Sequence, residues 1–194
     1  KLSDLHFAPT KTSRMNLINE NVDKKNIIVT GNTAIDSLIL ISDEIENNST
    51  RLDNYFKDKY NLDKTKRIIL VTCHRRENFG KYYENICSAI IEISKLFNNE
   101  IQIIFPVHPN PNVREKVHVM LGKVNEFNPL YKNILLIEPL DYLKFVYLMK
   151  ESYIILTDSG GIQEEAPYLK KPVLLLRNVT ERPEAIESGG VICV

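Results

Sequence analysis

The chain has 194 residues, 43% of them hydrophobic and 26% charged, with a formal net charge of zero. Those proportions describe an ordinary globular protein, long enough for one good core or for a core and part of another. Balanced charge argues against electrostatic binding to nucleic acid or to a membrane surface. No apolar run approaches the roughly 20 residues that a bilayer span requires. Asp4, His6 and Pro9 also interrupt any signal-peptide pattern at the start. The three cysteines, Cys73, Cys87 and Cys193, are scattered without metal spacing or obvious pairing. They read as reduced thiols of a cytoplasmic protein.

In chain order, Leu5-His6-Phe7-Ala8-Pro9-Thr10 is a polar lead, followed by a short helical pattern through Leu17, Ile18 and Val22 and a strand Ile27–Thr30. After Gly31-Asn32, the residues Ile35, Leu38, Ile39, Ser42 and Ile45 recur at helical spacing until Asn47-Asn48-Ser49 stops them. A more polar helix spans Leu52 to Leu62. From there strands and helices alternate regularly. The strands are Ile68–Thr72, Ile101–Val107, Ile134–Ile137, Tyr153–Thr157, Pro172–Leu176 and a closing Gly190–Val194. The helices between them carry Ile86, Ile90, Ile93 and Phe97, then Val113 to Leu121, then Leu143, Val146 and Leu148, with a short one from Glu181. Such alternation predicts an α/β fold with a doubly wound, parallel, Rossmann-like sheet. The opening reads as the middle of a domain and the closing strand has nothing after it, so the expectation is a fragment.

In such sheets ligands bind beyond the carboxyl ends of the strands, and the unusual residues fall there. Thr157-Asp158-Ser159-Gly160-Gly161 ends one strand and opens a helix. Glycine lets backbone N–H groups approach a ligand's oxygens, and a helix start favours an anion. Ser159 reads as the N-cap and as a phosphate donor, and Glu165, further into the helix, as an acceptor for ribose hydroxyls. The alternative is a strand–turn–helix corner without a ligand. His74-Arg75-Arg76-Glu77-Asn78 is the densest polar cluster at a strand end, able to meet phosphate bidentately and to move protons; a solvated loop is its bland counterpart. His108, before Pro109-Asn110-Pro111, is either a ligand contact or a turn-stabilising imidazole. His118 reads as a surface residue. Arg182 is either solvated or a clamp on a diphosphate. The order of a nucleophilic triad, zinc spacing and a P-loop are all absent from the sequence.

Together these segments resemble the non-hydrolysing bacterial UDP-N-acetylglucosamine 2-epimerases. The resemblance is carried by His6-Phe7-Ala8-Pro9-Thr10, Asn16-Leu17, Glu20-Asn21-Val22, Val29 to Asp36, Val71-Thr72 and the His74–Asn78 stretch. It continues through Pro106 to Glu115, Glu138-Pro139-Leu140-Asp141, Leu156 to Pro167 and Thr180-Glu181-Arg182-Pro183-Glu184. It implies one half of a GT-B-type, two-domain fold. Residues 1–32 would be the tail of an otherwise missing first domain, 33–66 connecting helices, and 67–194 a UDP-binding Rossmann-like domain truncated at its end.

The resemblance also implies inversion of the sugar C2 by elimination of UDP to a glucal intermediate and its re-addition, with no cofactor and no metal. His74 would act at the active site. Ser159, Gly160 and Gly161 would hold the diphosphate, Glu165 the ribose and Arg182 the UDP portion, with Leu140 and Phe145 bordering the uracil. Arg75 and His108 would contact a second UDP-N-acetylglucosamine acting as activator. UDP-GlcNAc and UDP are the implied partners, with neither nucleic acid nor membrane, and the full-length protein would be a homodimer. The family's catalytic carboxylates would come from the missing half. Two substitutions depart from the pattern: Lys170 stands where relatives usually have glycine, and Ser188-Gly189-Gly190 where they usually have a Gly-Thr pair. The competing readings are half of a GT-B glycosyltransferase using the same donor, whose members lack the His74–Asn78 and Thr180–Glu184 signatures, and a stand-alone nucleotide-sugar binding module.

Overall fold

The computed structural model describes residues 3–75, 80–124 and 131–194. Arg76, Glu77, Asn78 and Phe79, the greater part of the histidine–arginine stretch, lie outside the described residues. The chain opens with β1 (His6–Ala8), α1 (Lys11–Asn19) and β2 (Ile27–Val29), in which β1 and β2 pair in parallel. The sequence reading missed β1, for three residues are too few to show a period-two pattern. Val22 falls beyond α1, whose last turn closes at Glu20 and Asn21.

Next come α2 (Thr33–Asn47) and α3 (Ser49–Tyr60), then β3 (Arg67–Thr72), α4 (Lys81–Leu96), β4 (Ile101–Pro106), α5 (Pro111–Leu121) and β5 (Ile134–Ile137). The chain continues through α6 (Tyr142–Glu151), β6 (Ile154–Thr157), α7 (Ile162–Tyr168), β7 (Val173–Leu175), α8 (Pro183–Glu187) and β8 (Val191–Cys193). The six later strands form one parallel sheet in the order β5-β4-β3-β6-β7-β8. The chain winds outward from β3 in one direction, then returns to β6 and winds outward in the other. That reversal is the topological switch point of a doubly wound sheet.

Alternation along the strands builds two cores. Ile68, Leu70, Ile104 and Ile155 face one layer, where they meet Leu38 and Ile45 of α2, Leu52 and Phe56 of α3, and Val146 and Leu148 of α6. Ile69, Val71, Ile103, Phe105 and Leu156 face the other, against Ile86 and Ile90 of α4 and Val113 and Val117 of α5. Both faces of the strands are covered, which is why they read as unbroken apolar runs. The Phe56 and Tyr147 rings stack at 5.0 Å between centroids, joining α3 to α6. Helices α2 and α3 therefore share a core with the six-stranded sheet.

Candidate functional site

At the switch point the loops after β3 and β6 meet. Asp158 follows β6 and is fully buried. A buried carboxylate needs hydrogen-bond donors, and here consecutive residues of the other loop supply them. Asp158 Oδ2 accepts from the His74 N–H at 2.9 Å, the Arg75 N–H at 2.8 Å and Cys73 Sγ at 3.1 Å. Its Oδ1 lies 3.4 Å from His74 Nδ1. Thr72 and Thr157 also bridge the strand ends through their hydroxyls at 3.3 Å. Sequence reasoning passed over Asp158, because nothing in a Thr-Asp-Ser-Gly-Gly corner distinguishes a buried anchor from a turn residue.

The glycine corner comes next. Gly161, in αR conformation, is the N-cap of α7, and its carbonyl accepts from the N–H groups of Glu164 and Glu165, both at 3.0 Å. Ser159 is therefore not the cap that the spacing suggests. Its carbonyl is taken instead by the buried Gln163 side chain at 3.2 Å, which leaves Ser159 upstream in the loop. A Cβ built at Gly161 would meet open space, whereas one at Gly160 would lie 2.9 Å from Glu181 Oε1 and 3.4 Å from an Arg75 nitrogen. Glu181 in turn pairs with Arg75 at 3.2 Å and with Arg177 at 2.7 Å. A carboxylate thus sits over Gly160, held by two guanidinium groups. Arg182 caps the start of α8 and pairs with Glu164, whose other oxygen accepts from Asn32 Nδ2 at 2.7 Å. The Thr10 hydroxyl likewise reaches Glu184 at 3.1 Å. A cleft of about 480 Å³ opens between the start of α1 and the 181–185 segment.

A smaller cleft of about 160 Å³ is lined by Thr72, Cys73, His74, Pro106, His108, Pro139, Leu140 and Phe145. The His74 and His108 rings stack in it at 5.4 Å. Burial and the adjacent His74 lower the pKa of His108, with Asp158 opposing weakly. His108 Nδ1 also accepts the Asn110 N–H at 3.2 Å, so this imidazole serves the turn while lining the cleft. Glu165 is almost wholly buried and accepts from the Tyr142 hydroxyl at 3.0 Å. Burial raises its pKa, the Tyr142 bond opposes that, and Glu164 adds to it. Partial desolvation, with the Glu165 charge, pushes the more exposed Tyr142 phenol up to about 12.

The structure thus gathers His74, His108, Leu140 and Phe145 around one cleft and Arg75 with Gly160 around another feature, so Arg75 and His108 meet different groups. Arg182 is tied to α7 through Glu164, the chain neighbour of Glu165. His118 is on the exposed face of α5. Asp158, Tyr142, Glu164 and Glu181 are the members that sequence reasoning did not single out. Apart from the local Arg177–Glu181 pair, their partners are far away in the chain, so no local pattern could show them. Among the described residues no cluster of His, Cys, Asp and Glu could hold a metal ion. No helix among them is long and apolar enough to cross a membrane.

A doubly wound parallel sheet with this strand order and rim defines a Rossmann-like unit of the GT-B type. The likenesses to known proteins narrow that class. The UDP-N-acetylglucosamine 2-epimerase family model matches residues 1–194. The UDP-N-acetylglucosamine 2-epimerase of Yersinia pestis is 51% identical over 193 residues, which is all of this chain and 49% of that protein. The UDP-GlcNAc 2-epimerase of Neisseria meningitidis bound to UDP-GlcNAc superposes with a TM-score of 0.89 at 44% identity, covering 98% of this chain and 49% of that one. The Methanocaldococcus jannaschii enzyme in complex with UDP-GlcNAc and UDP gives 0.83 at 36% identity, covering 99% and 50%. The wall teichoic acid polymerase TagF, at 0.57 and 16% identity over 89% and 39%, shares the fold alone. This chain belongs to the UDP-N-acetylglucosamine 2-epimerase family, and it spans about half the length of the curated relatives it matches.

Proposed function

We propose that this chain is the UDP-holding part of an enzyme that interconverts UDP-N-acetylglucosamine and its C2 epimer by eliminating UDP and adding it back. One observation carries the reading: the switch point collects an imidazole, cations and bare glycine backbone within a single rim, in a chain of this family. Elimination loads negative charge onto the departing diphosphate, and fixed N–H groups and guanidiniums stabilise charge where it develops. Gly160, Gly161 and Ser159 would face the diphosphate, with Arg182 beside it. Glu165, already held by Tyr142, would accept the ribose hydroxyls. Leu140 and Phe145 would border the uracil, and His74 would work at the sugar end. Glu181 lies over Gly160, and a diphosphate at this position would displace it. Arg75 and His108 are proposed contacts of a second, activating ligand.

The described acidic residues of this rim are already engaged. Glu164 pairs with Arg182, Glu181 with two arginines and Glu165 with Tyr142, while Asp158 is buried beneath the loop. None of these carboxylates is poised as a base for the sugar, so the catalytic carboxylates are assigned to the half of the relatives that this chain does not span. We further propose division at about residues 32 and 66 into a first-domain tail, connecting helices and the UDP-binding unit, with the longer protein a cytoplasmic homodimer. Cys73, Cys87 and Cys193 are unbridged, which is compatible with that compartment.

The test has two arms. Calorimetry should show UDP binding to this chain, and solvent deuterium should enter C2 of UDP-N-acetylglucosamine only when the chain is joined to the remaining half of the Yersinia pestis relative. Exchange by the chain alone would refute the placement of the catalytic acids. Failure of both arms would refute the function.

A further inference from the structure

We infer that Asp158 is the positioning residue of this site: its carboxylate fixes the loop after β3 and holds the His74 imidazole in the tautomer that presents Nε2 to the cleft. The loop half of the inference stands on geometry alone. Its consequence for chemistry rests on the proposed reading of His74.

Asp158 is fully inside, and its two oxygens take donors from three consecutive residues, Cys73, His74 and Arg75. The carboxylate therefore does for this loop what a ladder does for a strand: it satisfies backbone N–H groups that have left the sheet. Both loops are also tied at their roots, for the Asp158 N–H donates to the Thr72 carbonyl at 3.3 Å. The His74 ring then has little choice of orientation, with its Nδ1 3.4 Å from Asp158 Oδ1 and its face against His108 at 5.4 Å.

A neutral imidazole carries one proton, and the group beside each nitrogen decides where it resides. Nδ1 beside a carboxylate is the donor, leaving the lone pair on Nε2. For His108 the assignment is reversed: Nδ1 accepts the Asn110 N–H, so the proton is on Nε2. The two stacked rings thus carry opposite tautomers. A His74 with a bare Nε2 can take a proton from a ligand, and the protonated ring can return it, with Asp158 compensating the cation. Asparagine at position 158 keeps the shape but turns one acceptor into a donor. Its amide would donate to Nδ1 and invert the His74 tautomer, a change that in other Asp–His pairs abolishes most activity.

Long-range proton–nitrogen correlation spectra of the 15N-labelled chain, recorded above the imidazole titration, read the tautomers directly; a His74→Gln sample assigns the signals. Wild-type His74 should be predominantly Nδ1–H and His108 Nε2–H, and Asp158→Asn should convert His74 to Nε2–H. Wild-type His74 in the Nε2–H form overturns the inference even if the variant fails to fold, as does a folded Asp158→Asn chain with an unchanged tautomer. In the chimera with the Yersinia pestis half, Asp158→Asn should lower kcat by about a hundredfold or more while KM moves little. Loss of kcat without tautomer inversion would reduce Asp158 to a structural anchor. Absence of UDP binding by the wild-type chain would defeat the proposed function while leaving the tautomer result intact.

Discussion

The two sides of the switch point are built from the same chemistry, carboxylates holding cations and N–H groups, but at different depths. Under the loop after β3, Asp158 is shut away from water. Across the glycine corner, the Arg75–Glu181 pair has side chains 36% and 42% exposed, and the Arg182–Glu164 pair 38% and 23%. Depth decides what each can do. A buried carboxylate with several donors is expensive to disturb, so it fixes geometry. Half-exposed ion pairs contribute at most about 1 kcal/mol each, so a phosphate can replace the carboxylate at little cost. One side is a scaffold; the other is the proposed exchangeable seat.

The comparison breaks if Asp158→Ala and Glu181→Ala cost the same. Asp158→Ala removes the acceptor of two backbone N–H groups and a thiol, and should destabilise the fold by about 3 kcal/mol or more. Glu181→Ala should change stability by less than about 1 kcal/mol. Urea denaturation of the two variants beside wild type measures both.

The exchangeable side is sharpened by Gly160→Ala. The added Cβ would crowd only the ends of the flexible Glu181 and Arg75 side chains, so the fold should survive. It would nonetheless occupy the surface proposed for the diphosphate. UDP binding should weaken by about tenfold or more, the worth of one charge-assisted hydrogen bond. Calorimetry showing full affinity in this variant would move the diphosphate away from Gly160.

How much of this contrast the sequence carried depends on range. The alternation of apolar strands and helices is local, so the doubly wound sheet was legible, as were the glycine corner and the cations at strand ends. Strand order was not, because apolar runs such as Ile68–Thr72 and Ile101–Pro106 do not record their neighbours. Asp158 acts on residues about 85 positions earlier, and a spacing argument has no access to such pairs. The mistaken cap at Ser159 has the same origin. Side-chain propensity favours serine there, but Gln163 claims its carbonyl and the cap falls two residues later, at Gly161. His108 read equally well as ligand contact and turn residue, and the fold sets its imidazole in the turn at the edge of the small cleft.

Glu165, next to Glu164 in α7, is buried almost as deeply as Asp158 and is the proposed ribose acceptor. Its pKa is raised mainly by burial, so the protonated form persists above the ordinary glutamate range. The charged form is the better acceptor for ribose hydroxyls. Wild-type affinity for UDP should therefore fall as pH drops, starting above the pH at which a solvated glutamate titrates. UDP titrates its own phosphate in the same region, so the readout is the ratio of wild-type to Glu165→Gln affinity across pH. That ratio should exceed one at neutral pH and approach one in acid; a flat ratio would remove Glu165 from the ribose. For folding the sign is opposite. A raised carboxyl stabilises fully below its unfolded value, and that contribution is lost as pH rises through the folded value. Glu165→Gln should therefore raise stability at neutral pH while weakening UDP.

The smallest effect is expected at the far end of α7, which carries no part of the contrast and so serves as its control. The helix ends with the Lys170 N–H donating to the Pro167 carbonyl and the Lys171 N–H to the Ala166 carbonyl, each at 2.9 Å. This paired closure requires a left-handed residue after the C-cap, and Lys170 supplies it with φ of 58°. Glycine reaches that conformation without the Cβ clash that a lysine carries, although it loses more freedom on folding. Relief of the clash outweighs that loss at a position whose hydrogen bonds demand φ above zero. Lys170→Gly should stabilise the fold by about 0.5–1 kcal/mol, a rise of about 1–4 °C in Tm for a chain of this size. UDP affinity should not move, since the side chain is exposed and α7 keeps both its start and Glu165. A lower Tm would show that the lysine is held by contacts outweighing its strained backbone. A changed UDP affinity would mean that the seat at one end of α7 depends on how the other end closes, and the division between scaffold and exchangeable seat would have to extend along the whole helix.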